Sequence, residues 1–236
     1  MSDKSAILIG STGLVGSAIL RQLTSGATSY STLTTVTRRE VPFQSQLSSQ
    51  NHVKNVVEKD NTKWAALITA AKPNVMYSAL GTTKAIAGGF PQQWKIDYDL
   101  NLELATAAKD SGATTYVLIS SSGASASSRF PYLRMKGELE DRVLELGFKN
   151  TVILRPGFIL GEREVSQGLA INILGAVAGS VHNSFLASAM GYPVKHEEIA
   201  LAAIDYALRV ERGAGDPKNK GIFFVESKEI ASLSKK

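Results

Sequence analysis

The chain has 236 residues, a length that commonly forms one α/β domain around a continuous core. Its 44% apolar and 20% charged residues are typical of a globular protein and exclude a disordered chain. Lys and Arg exceed Asp and Glu by 26 to 21, but no basic run is longer than a pair, so we expect no nucleic-acid partner. The net charge of +5 remains compatible with a phosphorylated ligand or an anionic membrane surface.

The absence of cysteine excludes disulfides, thiolate metal sites and a cysteine nucleophile. His182 and His196 lack the spacing to other ligands that zinc sites show, so we predict no metal. A strand is expected by Ile7, which leaves no room for a secretory signal or an arginine-rich presequence. We therefore expect the mature chain to start at its first residues.

Apolar and β-branched runs alternate with helical patterns along the first two thirds of the chain. The predicted strands are AILIG (6–10), TLTTVT (32–37), VKNVVE (53–58), NVMYSAL (74–80), TYVLIS (115–120), NTVILRPG (150–157) and IFFVE (222–226). The predicted helices cover about 14–23, 63–71, 93–110, 131–146 and 196–212, with a short helix at the C-terminus. This alternation favours parallel βαβ units, and therefore an α/β fold with a doubly wound parallel sheet.

The alternation weakens after Gly161. Residues 1–236 are predicted to form one dinucleotide-binding domain, in which 161–236 contribute a small C-terminal elaboration on the substrate side. The segment 168–191 is apolar but is interrupted by glycine, histidine and asparagine, so it is a poor membrane-spanning helix. We favour its burial over the substrate or in a homodimer contact, and a peripheral membrane contact is the alternative.

The sequence GSTGLVG, residues 10–16, follows the first strand and opens the first helix, which is the position that a dinucleotide-binding glycine motif requires. Gly10 permits a sharp turn, Gly13 lets the backbone approach a pyrophosphate, and Gly16 allows the helix to pack on the sheet. The helix N-terminus offers unpaired N–H groups to the phosphates. The predicted cofactor-binding residues here are Gly10, Ser11, Thr12, Gly13, Leu14, Val15 and Gly16. The competing interpretation is a turn with incidental glycines.

Arg38 and Arg39 follow the second strand, where NAD-binding folds usually have an acid that contacts the ribose. Arginine instead pairs with the 2′-phosphate of NADP, so the cofactor is predicted to be NADPH/NADP+. The alternative is a solvated pair at a strand exit. After the third strand, Glu58 or Asp60 is placed either to meet the adenine or to cap the next helix.

Two further turns lie at the same predicted edge of the sheet. Leu80, Gly81 and Thr82 follow the fourth strand and are expected to line the nicotinamide ribose, with a plain turn as the alternative. Ser120, Ser121 and Ser122 end the fifth strand, and one of them is expected to orient the reacting oxygen. Alternation along a strand puts Ser120 and Ser122 on the same side, opposite to Ser121.

Tyr132 and Lys136 are one turn apart at the start of a predicted helix and therefore project from one face. An ammonium group beside a phenol favours the phenolate, so Tyr132 is predicted to exchange a proton with a carbonyl or alcohol. Lys136 is also expected to bind the nicotinamide ribose. The spacing alone is common by chance, but it follows a glycine-loop α/β pattern and a serine-tipped strand.

The chain resembles the atypical short-chain dehydrogenases/reductases, and more specifically the fungal Fmp52 family, which is related to the metazoan Tat-interacting oxidoreductase. The resemblance covers almost the whole chain and rests on GSTGLVG (10–16), RREVPF (38–43), KIDYDLNLELA (95–105), SRFPYLRMKGELE (128–140) and ILRPGFILGERE (153–164). It implies a Rossmann core, NADP(H) binding and a cytosol-facing, peripheral location on the mitochondrial outer membrane; without it, a cytoplasmic location would be expected.

The resemblance also implies roles for individual residues. Tyr132 is the expected proton donor or acceptor and Lys136 its partner, with Ser122, Ser121 or Ser120 beside them. Residues 155–159 are expected to pass near the nicotinamide, where Pro156, Gly157, Phe158 and Ile159 contact the cofactor. Asn101 lies where many dehydrogenases have a proton-relay asparagine, although a core amide is the alternative.

The sequence thus predicts an NADPH-dependent oxidoreductase that reduces a small carbonyl or quinone-like substrate. The alternative is a regulatory protein that binds NADP(H) and reports redox state to a partner without turnover.

Overall fold

The computed structural model describes residues 4–25, 30–41, 52–161, 192–213 and 221–233. Seven parallel strands form one sheet in the order β3-β2-β1-β4-β5-β6-β9, and a separate parallel pair joins β7 to β8. The strands are β1 (Ser5–Ile9), β2 (Thr32–Thr37), β3 (Val53–Val57), β4 (Val75–Ser78), β5 (Thr115–Ile119), β6 (Asn150–Arg155), β7 (Ile159–Leu160), β8 (Val194–Lys195) and β9 (Ile222–Glu226).

Helices connect these strands. The α-helices within the described ranges are α1 (Leu14–Thr24), α2 (Trp64–Ala71), α3 (Lys84–Ala87), α4 (Phe90–Trp94), α5 (Asn101–Asp110), α6 (Pro131–Glu145), α7 (His196–Glu211) and α8 (Ser227–Leu233). A 3-10 turn (Asn61–Lys63) precedes α2, and a π-helical turn (Lys95–Leu100) joins α4 to α5.

The core has two layers, one on each face of the sheet, because successive side chains of a strand point in opposite directions. In β1, Ala6 and Leu8 pack into the layer that contains α1 and α7, whereas Ile7 and Ile9 pack into the layer that contains α2, α5 and α6. Burial on both faces explains why the central strands β1, β4, β5 and β6 are largely apolar runs rather than alternating patterns.

The strand order places the site. β1 lies between β2 and β4, with Ile9 opposite both Val36 and Ser78. The chain leaves β1 toward one side of the sheet and later returns on the other, so a crevice opens beyond the carboxyl end of β1 at this reversal. The loops that follow β1, β2, β4, β5 and β6 all leave the sheet at that edge.

The predicted strands and the Rossmann-type parallel sheet are confirmed. The helix predicted at 93–110 differs: it begins at Phe90 and contains the π-helical turn. The side-chain amide of Asn101 donates to the carbonyls of Ile96 and Asp97 within that turn. The β7–β8 pair was not predicted, because two-residue strands are too short to show a periodicity.

The segment 168–191, for which burial, dimer and membrane contacts were expected, lies outside the described residues. Within the described ranges, no helix combines the length and apolar character that crossing a membrane requires.

Candidate functional site

The turn after β1 is fixed by two close backbone contacts. Gly10 has φ +87°, and a Cβ there would lie 2.5 Å from the carbonyl oxygen of Ala79, which follows β4. A Cβ at Gly16 would overlap the carbonyl of Gly10. Both positions therefore exclude a side chain, and the glycines bring the ends of β1 and β4 and the first turn of α1 together.

The N-terminus of α1 carries no cap from its own side chains. Gly13 is the N-cap residue, is exposed, and makes no side-chain cap hydrogen bond. Ser11 is fully buried, and its hydroxyl has no hydrogen-bond partner among the described residues. Thr12 and Leu14 are half-buried, whereas the side chain of Val15 packs in the core. An uncapped helix N-terminus beside an unpaired buried hydroxyl fits an anionic ligand.

Arg38 and Arg39 lie next to this turn. The register pairs Ile9 with Val36, so Gly10 is level with Thr37, and Arg38 lies one residue further along. Both arginines are exposed. The predicted pair is thus at the carboxyl edge of β2, beside the glycine loop.

The two acids after β3 have local partners. Asp60 accepts hydrogen bonds from the backbone N–H and the hydroxyl of Thr62, which lower its pKa, so the capping interpretation is confirmed for Asp60. Glu58 accepts from the N–H of Asp60 at 2.9 Å and lies 3.8 Å from the ammonium of Lys63.

The turn Leu80–Thr82 is supported from below by buried polar side chains. Asp97 Oδ1 accepts the N–H of Thr82 at 2.7 Å. Gln93 Nε2 donates to the carbonyl of Thr82 at 3.1 Å. Asn101 Nδ2 donates to the carbonyl of Leu80 at 3.2 Å, and its Oδ1 accepts the hydroxyl of Ser78 at 2.5 Å. Asn101 is therefore a core amide that holds this turn, and both ends of its side-chain amide are engaged.

Tyr132 and Lys136 occupy the first two turns of α6, as predicted, but in different environments. Tyr132 is 40% exposed. Lys136 is 4% exposed, and its Nζ donates to the carbonyl of Ile119 at the end of β5, at 3.2 Å. Helix α6 lies close to the loop before it, because a Cβ at Gly137 would overlap the backbone of Ser125 and Ala126.

The three serines after β5 differ in their partners. The hydroxyl of Ser120 donates to Glu140, whose carboxylate also binds the guanidinium of Arg155. Ser121 and Ser122 are half-buried, and the only hydrogen bond of the Ser121 hydroxyl to a described residue is a long one, 3.4 Å, to the carbonyl of Ser122. The hydroxyls of Ser121 and Ser122 can therefore still bind a ligand, whereas the hydroxyl of Ser120 already donates to Glu140.

The loop after β6 lies against the serine loop. Ser122 N donates to the carbonyl of Pro156 at 2.8 Å. Gly157 N donates to the hydroxyl of Ser227, which donates in turn to the carbonyl of Tyr192. Phe158 and Ile159 are half-buried, and Pro156 is buried. Ser227, in the C-terminal helix α8, thus holds the loop after β6, which was expected to pass near the nicotinamide.

Sequence reasoning missed the supporting side chains Gln93, Asp97, Glu140 and Ser227. Each is a buried polar residue on a helix, and single polar residues in a helical pattern give no signal of their partners. Within the described ranges, no group of three or more His, Asp or Glu side chains is arranged to hold a metal ion.

The sheet order defines a Rossmann-type fold. Two solved structures of this type are the UDP-glucose 4-epimerase of Thermotoga maritima with UDP-glucose (TM-score 0.63, 15% identity, 98% of this chain and 81% of that chain) and WbmG of Bordetella bronchiseptica in complex with NAD (TM-score 0.63, 15% identity, 98% and 77%). At this identity the likeness shows the fold alone.

Similarity in sequence is more specific. "Protein FMP52, mitochondrial" of Saccharomyces cerevisiae is 42% identical over 231 residues, which are 97% of this chain and 95% of that protein. The Meyerozyma guilliermondii protein of the same name is 46% identical over 204 residues, or 86% and 85%. The HIM1 family profile matches residues 42–196. The chain belongs to the Fmp52 family.

The close contacts of the glycine loop generate a prediction about the stability of the fold. Gly16→Ala should cost about 1–3 kcal/mol of stability through overpacking, which corresponds to a decrease in Tm of roughly 2–12 °C. Gly13→Ala is the matched control, since a Cβ at Gly13 meets only the carbonyl of Gly10, at 3.3 Å. Thermal unfolding followed by circular dichroism measures both, and an equal loss in the two variants would contradict this account of the turn.

Proposed function

We propose that this chain is an NADPH-dependent oxidoreductase that reduces a small carbonyl or quinone-like substrate. The observation that carries the proposal is the convergence of three features at one edge of the sheet: the glycine loop after β1, the arginine pair after β2, and Tyr132 beyond β5. Ligands of doubly wound folds bind at this edge.

The loop residues fit a dinucleotide. The uncapped N-terminus of α1 and the unpaired hydroxyl of Ser11 would meet the pyrophosphate, and Gly13 leaves the approach open. The exposed guanidinium groups of Arg38 and Arg39 would pair with a 2′-phosphate. The turn Leu80–Thr82 and the loop Pro156–Ile159 would flank the nicotinamide and its ribose.

When bound, the cofactor would supply a hydride, and the protein would supply orientation and proton transfer. Tyr132 would give its phenolic proton to the substrate oxygen as the hydride reaches the adjacent carbon. Lys136 would hold positive charge near the phenol and donate to the ribose. The hydroxyl of Ser121 or Ser122 would orient the substrate oxygen, since Ser120 is engaged by Glu140.

The arginine pair generates a cofactor-preference prediction. Replacing Arg38 and Arg39 by Ala should weaken NADPH binding at least about tenfold, because a charge-assisted hydrogen bond contributes roughly 1.5–3 kcal/mol. Binding of NADH should change much less. Arg212→Ala is a control, because this exposed arginine follows α7 at the opposite edge of the sheet. Calorimetric titration with both nucleotides measures the effect, and equal losses for NADPH and NADH would refute the assignment.

Tyr132 generates a test of turnover. Tyr132→Phe removes the transferable proton and should lower kcat about 100-fold or more, while NADPH binding remains within about twofold because the ring is retained. NADPH oxidation is followed with a panel of small carbonyls and quinones. Unchanged turnover in Tyr132→Phe would disprove the mechanism, whereas tight NADPH binding without any substrate would favour the regulatory alternative.

We also propose a peripheral location on the cytosolic face of the mitochondrial outer membrane. The relatives in Saccharomyces cerevisiae and Meyerozyma guilliermondii are named mitochondrial, and the apolar sequence 168–191 supplies candidate membrane-contacting side chains. In isolated mitochondria, alkaline carbonate should release the protein, and external protease should degrade it without rupture of the outer membrane. Retention in the carbonate pellet, or protection from protease, would contradict this location.

A further inference from the structure

Asp97 is a buried carboxylate directly beneath the turn Leu80–Thr82. Asp97 is only 2% exposed. Oδ1 accepts the N–H of Thr82 at 2.7 Å, and Oδ2 accepts the side-chain amide of Gln93 at 3.2 Å. A Cβ built on Gly81 would lie 3.7 Å from Oδ1. The carboxylate is therefore in contact with the underside of the turn that would face the nicotinamide ribose.

The partners of Asp97 match its ionised form. Both carboxylate oxygens accept hydrogen bonds from N–H donors, and a protonated acid would need an acceptor that neither donor offers. The backbone at Asp97 is fixed as well, because Asn101 Nδ2 donates to its carbonyl at 3.2 Å. Asp97 lies in the π-helical turn Lys95–Leu100, and such turns occur frequently at functional sites.

A buried positive charge lies within electrostatic range of this carboxylate. Helix α6, which carries Lys136, packs against the π-helical turn. Burial raises the pKa of Asp97, and the charge of Lys136 acts in the opposite direction and lowers it. The Nζ of Lys136 donates a hydrogen bond to an uncharged acceptor, the carbonyl of Ile119. A nearby charge of opposite sign stabilises a buried charged group, and Asp97 supplies one for Lys136.

We propose that Asp97 is a positioning residue for the site: it is the counter-charge that keeps the Lys136 ammonium in place, and it holds the turn Leu80–Thr82 against the cofactor. This role rests on the proposed function, and Asp97 itself touches no reacting atom. It acts through Lys136 and through the backbone of Thr82.

Folding raises the pKa of the Asp97 carboxyl, because burial disfavours its charge. A carboxyl whose pKa is raised by folding stabilises the fold at low pH, and this contribution is lost as the pH rises through the raised value. The ionised form of Asp97 therefore contributes less to folding than its protonated form does. Asp97→Asn removes the charge while it keeps an oxygen that can accept the N–H of Thr82.

The first experiment measures whether the two charges interact, in protein without cofactor. Asp97→Asn is made in the unmodified chain and in Lys136→Met, and Tm is recorded for each. In Lys136→Met the carboxylate of Asp97 has lost its counter-charge. The change in Tm caused by Asp97→Asn should therefore be more favourable in Lys136→Met than in the unmodified chain, by about 3 °C or more. Lys136→Arg keeps the positive charge and is the matched control background. Equal changes in all backgrounds overturn the proposal. If Asp97→Asn alone gives no folded protein, its recovery by Lys136→Met supports the pair, and continued failure overturns it.

The second experiment measures positioning through NADPH affinity. Asp97→Asn should weaken NADPH binding about fivefold or more in the unmodified chain and less than about twofold in Lys136→Met. If Asp97→Asn leaves the dissociation constant of NADPH unchanged while its effect on Tm depends on Lys136, Asp97 is only a structural counter-ion and the positioning role is overturned. If the unmodified protein does not bind NADPH, the proposed function fails and the positioning role with it, while the thermal comparison still decides the pair.

Discussion

The contact of Gly10 with backbone on two sides is the constraint on which the rest of the site depends. A Cβ on Gly16 in α1 would overlap the carbonyl of Gly10, and a Cβ on Gly10 would overlap the backbone of Ala79 beyond β4. These contacts bring a helix N-terminus and the ends of two neighbouring strands to one point. Because they join backbone to backbone, no side-chain rearrangement could relieve an added methyl group. The strand order reverses at the same point, which is where doubly wound folds bind their ligands.

Buried hydrogen bonds hold the loops at that edge of the sheet in place. One network beneath the turn after β4 joins Gln93, Asp97 and Asn101 to its backbone. A second network joins the end of β5 to β6, because Glu140 binds both Ser120 and Arg155. Loops have carbonyl and N–H groups that no strand partner satisfies, so buried polar side chains both satisfy these groups and fix the loop conformation.

The membership of the Fmp52 family and the fold agree with each other but answer different questions. The family is shown by relatives that match almost the full chain, whereas the solved structures share the sheet order at low identity. Chemistry has to be argued from the site, because Rossmann-type folds support many reactions. At this site, the exposed phenol of Tyr132 and the buried ammonium of Lys136 lie on successive turns of one helix, in surroundings of different polarity.

The sequence by itself determined the seven strands of the large sheet, the glycine turn, the arginine pair and the Tyr132–Lys136 spacing, because each is a local pattern with its own period or position. It did not determine that Ser120 is engaged while Ser121 and Ser122 keep free capacity, since that depends on Glu140, twenty residues away on a helix. It left Asp97 unnoticed for the same reason. Only the tertiary structure decides which buried polar groups meet, because hydrogen bonds between distant segments leave no periodicity in the chain.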